Sequence, residues 1–266
     1  MTVQIPTYVV SLAGETVRRA HIAEECSKFG IRPVFVDACD MRGIGLAELQ
    51  SRSCLPEHKQ GKKKRWLKPG ELGCALSHLQ VYRRMLEQQE EYALILEDDA
   101  MFIRDPRPLL DTGRLKMLRE RVPFDVLMIG YVKTLPKYLP YYYRRIPLKR
   151  LAAWDVNGEA GYVGTPWAQY GCGTVAYIAT LDAAQKLINV NTPPCVAADD
   201  WLYFEQHGKV RVIHSRPAFV LEALEKLRST IRCESLGDCL PKWHSWAVRS
   251  VKGWVKYFIL NYIKKQ

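Results

Sequence analysis

The chain has 266 residues, of which 48% are hydrophobic, enough to bury one sizeable core without help from disulfides or repeats. Its net charge of +11 favours anionic partners such as lipid head groups, a membrane surface or nucleic acid, although each basic block is equally compatible with a solvated face. The sequence begins without a secretory pattern, and no apolar run is long enough to span a bilayer. The eight cysteines include no CxxC pair, which argues against a zinc cluster and a redox motif. We therefore expect reduced thiols in the cytoplasm.

The first hundred residues alternate between strand-like and helix-like patterns. In chain order they predict a strand at 7–12, a helix at 15–29, a strand at 31–36, a mobile polar loop at 51–68, a helix from 69 and a buried strand at 92–96. This order is typical of βαβ units that build a parallel sheet.

The second part of the chain continues the alternation after one irregular stretch. The pattern predicts a helix at 107–120, a strand at 124–130, an irregular substrate-facing excursion at 131–170, a strand at 174–179, helices at 182–189 and from 199, and a strand at 210–214. We therefore expect an α/β fold with an open, mostly parallel sheet flanked by helices. The predicted domains are a catalytic unit at 1–220 and a helical tail at 221–266.

Three carboxylates, Glu97-Asp98-Asp99, directly follow the buried strand predicted at 92–96. Open α/β sheets bind ligands at the carboxyl ends of their strands, so the triplet falls where a ligand is expected. Adjacent carboxylates repel one another unless a cation neutralises them, and Mg²⁺ or Mn²⁺ held by carboxylates and substrate phosphates suits such a site. The alternative is a solvated acidic turn that caps the next helix.

A second acidic pair, Asp199-Asp200, opens the helix predicted from residue 199. Either aspartate can serve as the helix N-cap. In the functional interpretation, one carboxylate caps the helix while its neighbour accepts the proton of an incoming acceptor hydroxyl. The local sequence supports the cap and the base equally.

Two histidines are further candidates. Ser77 and His78 are polar residues on an otherwise apolar helix, where they form either a satisfied hydrogen bond in the core or part of a pocket wall. His214 lies at the end of the late strand and is a candidate metal ligand on its position alone.

These segments together resemble glycosyltransferase family 25, the lipooligosaccharide galactosyltransferase type. The resemblance covers about residues 5–220, and Ser11 stands where the family usually has Asn. It is carried by Val9-Val10-Ser11-Leu12 with Arg18-Arg19, Gly70-Glu71-Leu72-Gly73-Cys74-Ala75-Leu76-Ser77-His78, Leu94-Ile95-Leu96-Glu97-Asp98-Asp99, and Asp199-Asp200-Trp201-Leu202.

The resemblance implies a GT-A type nucleotide-binding fold, a UDP-sugar donor, Mn²⁺ or Mg²⁺, and inversion at the anomeric carbon. It further implies transfer of galactose from UDP-galactose to a lipid-anchored oligosaccharide acceptor, the core of a lipopolysaccharide or lipooligosaccharide. The implied general base is Asp200, with Asp199 as the second candidate. The implied metal ligands are Asp99, Asp98 and Glu97, and His214 is a further candidate ligand because of its position at a strand end. The residues assigned to the nucleotide are Val10, Ser11, Leu12, Arg18, Ser77, His78, Glu97 and Asp98.

The tail predicts a basic amphipathic helix. From residue 243 to 262 apolar and aromatic residues recur at three- and four-residue steps, while most cations lie elsewhere around the helix. This composition is typical of a segment that lies in an anionic leaflet, and docking onto the protein's own core is the alternative. We expect a cytoplasmic protein peripherally associated with the inner membrane.

Three other interpretations remain open on sequence alone. Nothing in the sequence distinguishes galactose from glucose or another hexose as the donor sugar. A non-catalytic nucleotide-binding or membrane-binding protein is a second alternative. Nucleic-acid binding through the basic blocks is the least favoured, because the chain has no recognisable binding motif.

Overall fold

The computed structural model describes residues 4–56, 65–156, 158–167, 173–225, 227 and 243–263. Its strands are β1 (Thr7–Ser11), β2 (Pro33–Asp37), β3 (Tyr92–Glu97), β4 (Ala100–Phe102), β5 (Val126–Met128), β6 (Gly130–Tyr131), β7 (Leu148–Val156), β8 (Glu159–Pro166), β9 (Ala176–Thr180), β10 (Val212–Arg216) and β11 (Val220–Glu222). Its α-helices are α1 (Thr16–Ser27), α2 (Leu46–Arg52), α3 (Pro69–Glu87), α4 (Thr112–Arg121), α5 (Leu139–Arg145), α6 (Leu181–Val190), α7 (Trp201–Gly208) and α8 (Trp243–Phe258). Short 3₁₀ turns at Arg107–Leu109 and Pro136–Tyr138 precede α4 and α5, and a π-helical turn at Ile259–Ile263 follows α8.

An eight-stranded sheet in the order β2-β1-β3-β9-β5-β10-β8-β7 forms the centre of the described fold. β1 is parallel to β2 and β3, and β10 is parallel to β5, whereas β9 and β8 are antiparallel to both of their neighbours. All the strands of this sheet except β9 and β8 therefore run in one direction. The predicted α/β fold with a mostly parallel sheet and flanking helices is confirmed.

A smaller three-stranded sheet, β4-β11-β6, packs beside the end of β3. β11 is antiparallel to β4 and parallel to β6, and it crosses the domain boundary predicted at residue 220. Asp98 and Asp99 lie in the connection between β3 and β4, so the acidic triplet passes from one sheet to the other. Both sheets thereby constrain the backbone of the triplet.

Apolar layers cover both faces of the large sheet. Along β3, Leu94 and Leu96 enter the layer shared with α1 and α4, whereas Ala93 and Ile95 enter the layer shared with α3, α6 and α7. A strand with both faces buried has a continuous apolar sequence, which is why the run at 92–96 predicts a strand without alternation. The chain thus enters the acidic triplet from a rigid, fully buried strand.

Where the structure describes the stretch at 131–170, most of it is regular, so the prediction of an irregular stretch was wrong for those residues. Its described part contains α5 and the antiparallel pair β7–β8, which extends the large sheet from β10. Glycines suggested a loop here, but Gly164 lies where an added Cβ would be 2.3 Å from the Lys149 carbonyl oxygen, and Gly161 lies where it would be 2.6 Å from the Arg216 carbonyl oxygen. In strands such glycines permit close backbone approach, which local sequence does not distinguish from a turn.

The predicted tail helix is present as α8. It packs against α5 through Gly253, where an added Cβ would lie 1.8 Å from the Arg144 carbonyl oxygen. Ser250 and Leu260 are buried on the same side. In the part of the chain that the structure describes, no helix combines the length and hydropathy needed to cross a bilayer.

Several sequence predictions fall on residues outside the described ranges. They include residues 57–64 of the polar loop predicted at 51–68, with Lys62, Lys63 and Lys64, and residues 228–242 of the predicted tail. Among the cysteines, Cys26, Cys39, Cys54, Cys74 and Cys195 are described and have free thiols.

Candidate functional site

A buried charge cluster lies at the carboxyl ends of β1 and β3. The Arg18 guanidinium from α1 donates through Nε to Asp98 Oδ1 at 2.7 Å and through one terminal nitrogen to Asp99 Oδ2 at 2.7 Å. Ser11 Oγ donates to the other oxygen, Asp98 Oδ2, at 2.7 Å. Arg18, Asp98 and Asp99 are each at most 8% exposed. The structure therefore brings together Ser11, Arg18, Asp98 and Asp99, which the sequence placed in one nucleotide and metal site.

The two aspartates of this cluster differ in what their oxygens bind. Both oxygens of Asp98 accept hydrogen bonds, from Ser11 and Arg18, whereas Asp99 Oδ1 is buried and has no hydrogen-bond partner among the residues that the structure describes. Burial and the nearby Glu97 carboxylate raise the pKa of Asp99 to about 7, against the opposing effect of Arg18. A buried carboxylate oxygen without a protein donor can be satisfied by a proton, a cation or a water molecule.

Glu97 faces the opposite direction, toward α3. It accepts a short hydrogen bond from the Thr174 hydroxyl, and its Oε1 lies 3.6 Å from His78 Nε2. Burial opposes ionisation, but the interaction with His78, assisted by Thr174 and Arg18, lowers the pKa of Glu97. Glu97 is therefore an anion oriented by His78.

His78 is completely buried between these groups and a tyrosine pair. Its Nδ1 hydrogen-bonds the Tyr177 hydroxyl at 2.7 Å, and that hydroxyl lies 2.6 Å from the Tyr82 hydroxyl. His78 Nε2 has no hydrogen-bond partner. Of the two interpretations the sequence left open for His78, its Nδ1 fits the core hydrogen bond, and its Nε2 is directed toward the functional cluster.

The block at 70–78 has a structural reason for its small residues. Gly73 lies where an added Cβ would be 2.4 Å from the Cys39 carbonyl oxygen, so α3 approaches the loop after β2 closely. Ser77 Oγ then accepts a hydrogen bond from the Cys39 backbone N–H at 2.8 Å. These two contacts attach α3 to the edge of the sheet where the acids lie.

A cavity of about 170 Å³ opens over this edge. Most of the residues assigned to the nucleotide or metal border it, while His78 lies behind its wall. The predicted residues that line it are Val10, Ser11, Leu12, Arg18, Ser77, Glu97, Asp98 and Asp99.

The sequence analysis missed several residues of this cavity. Glu15, Asp40 and Arg42 come from the loops after β1 and β2, and Glu222 comes from β11. The position of Asp40 shortly after the β2 strand is a signal that could have found it, because the ends of parallel strands share one edge. Glu222 has no such signal, since only the pairing of β11 with β4 and β6 brings it there.

The two residues of the second acidic pair occupy different positions. Asp200 is the N-cap of α7, where its side chain accepts a hydrogen bond from the Tyr203 backbone N–H at 3.4 Å. Asp199 is exposed and acts electrostatically on Cys74, a cavity residue. Burial first, then Glu97 and Asp199, raise the pKa of the Cys74 thiol. The pair thus separates into a cap and a carboxylate near the cavity.

The structure does not bring His214 to the acidic cluster. His214 is fully buried in β10, and its ring stacks on Tyr131 with centroids 6.0 Å apart. Burial, with a smaller effect of Arg216, lowers the pKa of His214 to about 3. In the described ranges, three or more potential metal ligands come together at Cys74, His78 and Glu97, and His214 is not among them.

A second surface of note is the outer side of α8. Its apolar side chains there are 54 to 63% exposed, although the opposite side of the helix is buried against α5. Two cations, Arg249 and Lys252, are exposed on the same helix, and Lys256 is half-buried. We call the following exposed residues the outer face of α8: Val248, Val251, Trp254, Val255, Phe258, Tyr262 and Ile263.

Comparison with known families decides the relationship. Residues 4–202 match the family model described as glycosyltransferase family 25 (LPS biosynthesis protein). The chain belongs to glycosyltransferase family 25. The matched range contains β1 to β9, the acidic triplet, the 70–78 block and the Asp199-Asp200 pair, and it ends before α8.

Curated relatives of this family 25 chain are distant in sequence. Human procollagen galactosyltransferase 2 is 24% identical over 186 residues, which cover 69% of this chain and 27% of the relative. The rat probable inactive glycosyltransferase 25 family member 3 is 26% identical over 183 residues, covering 68% of this chain and 29% of the relative. A putative glycosyltransferase of Haemophilus influenzae is 36% identical over 104 residues, covering 39% of this chain and 36% of the relative. The chain spans less than a third of the length of the human and rat proteins.

Solved structures show more remote likenesses. A mannosyltransferase from Pyrobaculum calidifontis in complex with GDP-Man and Mn²⁺ is 14% identical with a TM-score of 0.45, covering 96% of this chain and 63% of that one. A glycosyltransferase involved in glycosylation of the major capsid of PBCV-1 is 11% identical with a TM-score of 0.40, covering 95% of this chain and all of that one. At this distance neither likeness bears on function.

Proposed function

We propose that this family 25 chain is an inverting glycosyltransferase that moves galactose from UDP-galactose to a lipid-anchored lipopolysaccharide or lipooligosaccharide core. The observation that carries the proposal is the cavity at the carboxyl ends of β1 and β3, where Arg18 holds Asp98 and Asp99 while Asp99 Oδ1 has no donor. A nucleotide site at such an edge is the general arrangement of open α/β sheets.

The residues of the cavity fit a divalent cation at one of the three acids. Both oxygens of Asp98 already accept hydrogen bonds from Ser11 and Arg18, whereas Asp99 Oδ1 is a buried hard oxygen without a partner among the described residues, the type of ligand that Mg²⁺ and Mn²⁺ prefer. Asp99 would therefore hold the cation and Asp98 would keep Arg18 and Ser11 in place. When bound, the cation would neutralise negative charge on the leaving diphosphate.

Asp199 is our choice for the general base, ahead of Asp200. Asp200 already caps α7, and a cap residue is held by the backbone it bonds, whereas Asp199 is exposed and its charge acts on Cys74, which lines the cavity. In the proposed step Asp199 takes the proton of the acceptor hydroxyl as that oxygen bonds to the sugar C1. The bond from C1 to the diphosphate breaks on the opposite face, and the nucleoside diphosphate leaves with the electron pair, which inverts C1.

Association with a membrane is the proposed means of reaching the acceptor. The outer face of α8 combines exposed aromatic and aliphatic side chains with Arg249 and Lys252, a composition that suits anionic lipid. We place the protein in the cytoplasm, at the surface of the inner membrane.

The first experiment separates donor binding from catalysis. Calorimetric titration with UDP should show binding that Mn²⁺ strengthens. Asp99→Asn should lose this effect of Mn²⁺. The control Asp105→Asn, at a residue paired with Arg107, should keep it. With UDP-galactose and core acceptor, Asp199→Asn should lower kcat about 100-fold or more at unchanged UDP affinity. Asp200→Asn should lose far less, because Asn caps a helix as well as Asp.

Each alternative has its own outcome in this experiment. Turnover with UDP-glucose but not UDP-galactose would replace the donor sugar and keep the mechanism. Binding of UDP without turnover of any donor would favour a non-catalytic protein, in line with the relatives named as inactive. Absence of UDP binding with and without Mn²⁺ would refute the proposed donor site.

A further inference from the structure

Three potential metal ligands of different chemical types meet at the inner wall of the cavity. Cys74 Sγ, a ring nitrogen of His78 and a carboxylate oxygen of Glu97 all lie within 4.8 Å of one another. Cys74 and His78 are one helical turn apart on α3, and Glu97 ends β3. Since the sequence contains no CxxC pair, the spacing of cysteines argued against a zinc cluster, and only the packing of α3 on β3 brings this set together.

The position of His78 leaves room for a ligand between it and Glu97. His78 is 1% exposed, and within the described residues its Nε2 makes no hydrogen bond, since its neighbour Glu97 Oε1 lies 3.6 Å away. The other ring nitrogen is fixed by the Tyr177 hydroxyl at 2.7 Å, which sets the orientation of the ring. A metal-binding histidine is commonly oriented in this way, by a hydrogen bond on the nitrogen that does not bind the metal.

The distances also fit a small tetrahedral ion. With bonds of about 2.0–2.3 Å to nitrogen, oxygen and sulfur, tetrahedral ligands lie about 3.3–3.8 Å apart. The pair His78 Nε2 and Glu97 Oε1 already has that separation. A set of one thiolate, one imidazole and one carboxylate favours Zn²⁺ over Mg²⁺ or Mn²⁺, which prefer oxygen alone.

We propose that Cys74, His78 and Glu97 form a second cation site, separate from Asp99, that binds Zn²⁺ with three protein ligands and a fourth position open to the cavity. Binding replaces the thiol proton of Cys74, which leaves to solvent through the cavity that Cys74 and Glu97 line. The ion would connect α3 to the end of β3. Neither the sugar donor nor the acceptor takes part in binding this ion.

The first test uses the unmodified protein, without nucleotide. The protein is alkylated with a small thiol reagent at increasing Zn²⁺, and the modified cysteines are mapped by mass spectrometry. Zn²⁺ should protect Cys74 but not Cys39, which lines the same cavity and lies outside the ligand set. Equal labelling of Cys74 with and without saturating Zn²⁺ would overturn the proposal.

The second test identifies the ligands with Co²⁺ as a spectroscopic probe. Co²⁺ should give a sulfur-to-metal charge-transfer absorption that disappears in Cys74→Ser, and His78→Gln and Glu97→Gln should weaken Co²⁺ binding at least about tenfold. Cys39→Ser and Asp99→Asn should keep the absorption. A band that persists in Cys74→Ser, or one that requires Asp99, would contradict a separate site. Loss of Mn²⁺-dependent UDP binding in Asp99→Asn with the Co²⁺ band intact would separate this site from the donor site.

Discussion

The cavity edge and the outer face of α8 depart from the usual distribution of residues in opposite directions. At the cavity edge, Arg18, Asp98 and Asp99 are charged and buried, and on α8 residues such as Trp254 and Phe258 are apolar and exposed. Charged groups are seldom buried unless paired, and extended apolar surface is seldom left exposed. The buried charges find most of their partners within the chain, whereas the partner proposed for the exposed apolar face lies outside it.

The largest expected effect breaks the internal pairing. Arg18→Met leaves Asp98 and Asp99 buried without their counter-charge, which should lower the free energy of unfolding by about 3–5 kcal/mol. Urea unfolding at pH 7 measures it, and the loss should shrink as the pH falls, because protonation removes the unpaired charge. Arg107→Met, which breaks an exposed pair with Asp105, should cost less than about 1 kcal/mol. Equal losses in the two variants would show that burial does not distinguish the pairs.

A smaller effect concerns a buried histidine. The pKa of His214 is about 3 in the folded chain and near 6.5 when exposed, so its contribution to stability is present above pH 6.5 and is lost as the pH falls toward 3. Between pH 7 and pH 5 the free energy of unfolding of the unmodified protein should fall by about 2 kcal/mol more than that of the His214→Phe variant. This variant keeps an aromatic ring to stack on Tyr131. Urea unfolding at both pH values measures the difference. Parallel losses in the two proteins would contradict a neutral, buried His214.

The smallest expected effect tests the external partner. Trp254→Ser with Phe258→Ser should reduce binding to phosphatidylglycerol vesicles at least about tenfold, because two apolar side chains no longer leave water. Co-sedimentation measures it. The matched control is Val17→Ser with Met117→Ser, which removes two equally exposed apolar residues from α1 and α4. A similar reduction in the control, or no binding by the unmodified protein, would refute α8 as the membrane contact.

Sequence reasoning located residues correctly where their position follows directly from one regular element. The buried run at 92–96 predicts β3, and the triplet after it predicts an acidic edge that the structure contains. Ser11 and Arg18 were placed at that edge through the family resemblance, and their contacts with Asp98 agree with it. These residues lie close to the ends of elements whose order alone determines their position.

It failed where the neighbours of a residue come from distant parts of the chain. The glycines of β8 suggested a loop because their close contacts, with Lys149 and Arg216, lie on other strands. Glu222 was missed because β11 brings it to the cavity by pairing with the small sheet. The different roles of Asp199 and Asp200 depend on which of them caps α7, and local sequence does not distinguish them because both are aspartates.

The contact at Gly253 determines how α8 can be presented to any surface. Because the Arg144 carbonyl oxygen lies where a side chain at position 253 would project, α8 cannot rotate about its axis without losing its close contact with α5. The outer face of α8, from Val248 to Ile263, therefore has a fixed orientation relative to α5. A membrane bound by the outer face of α8 would therefore hold the protein at a fixed angle to the membrane surface. A larger residue at position 253 would change that angle without altering an exposed side chain.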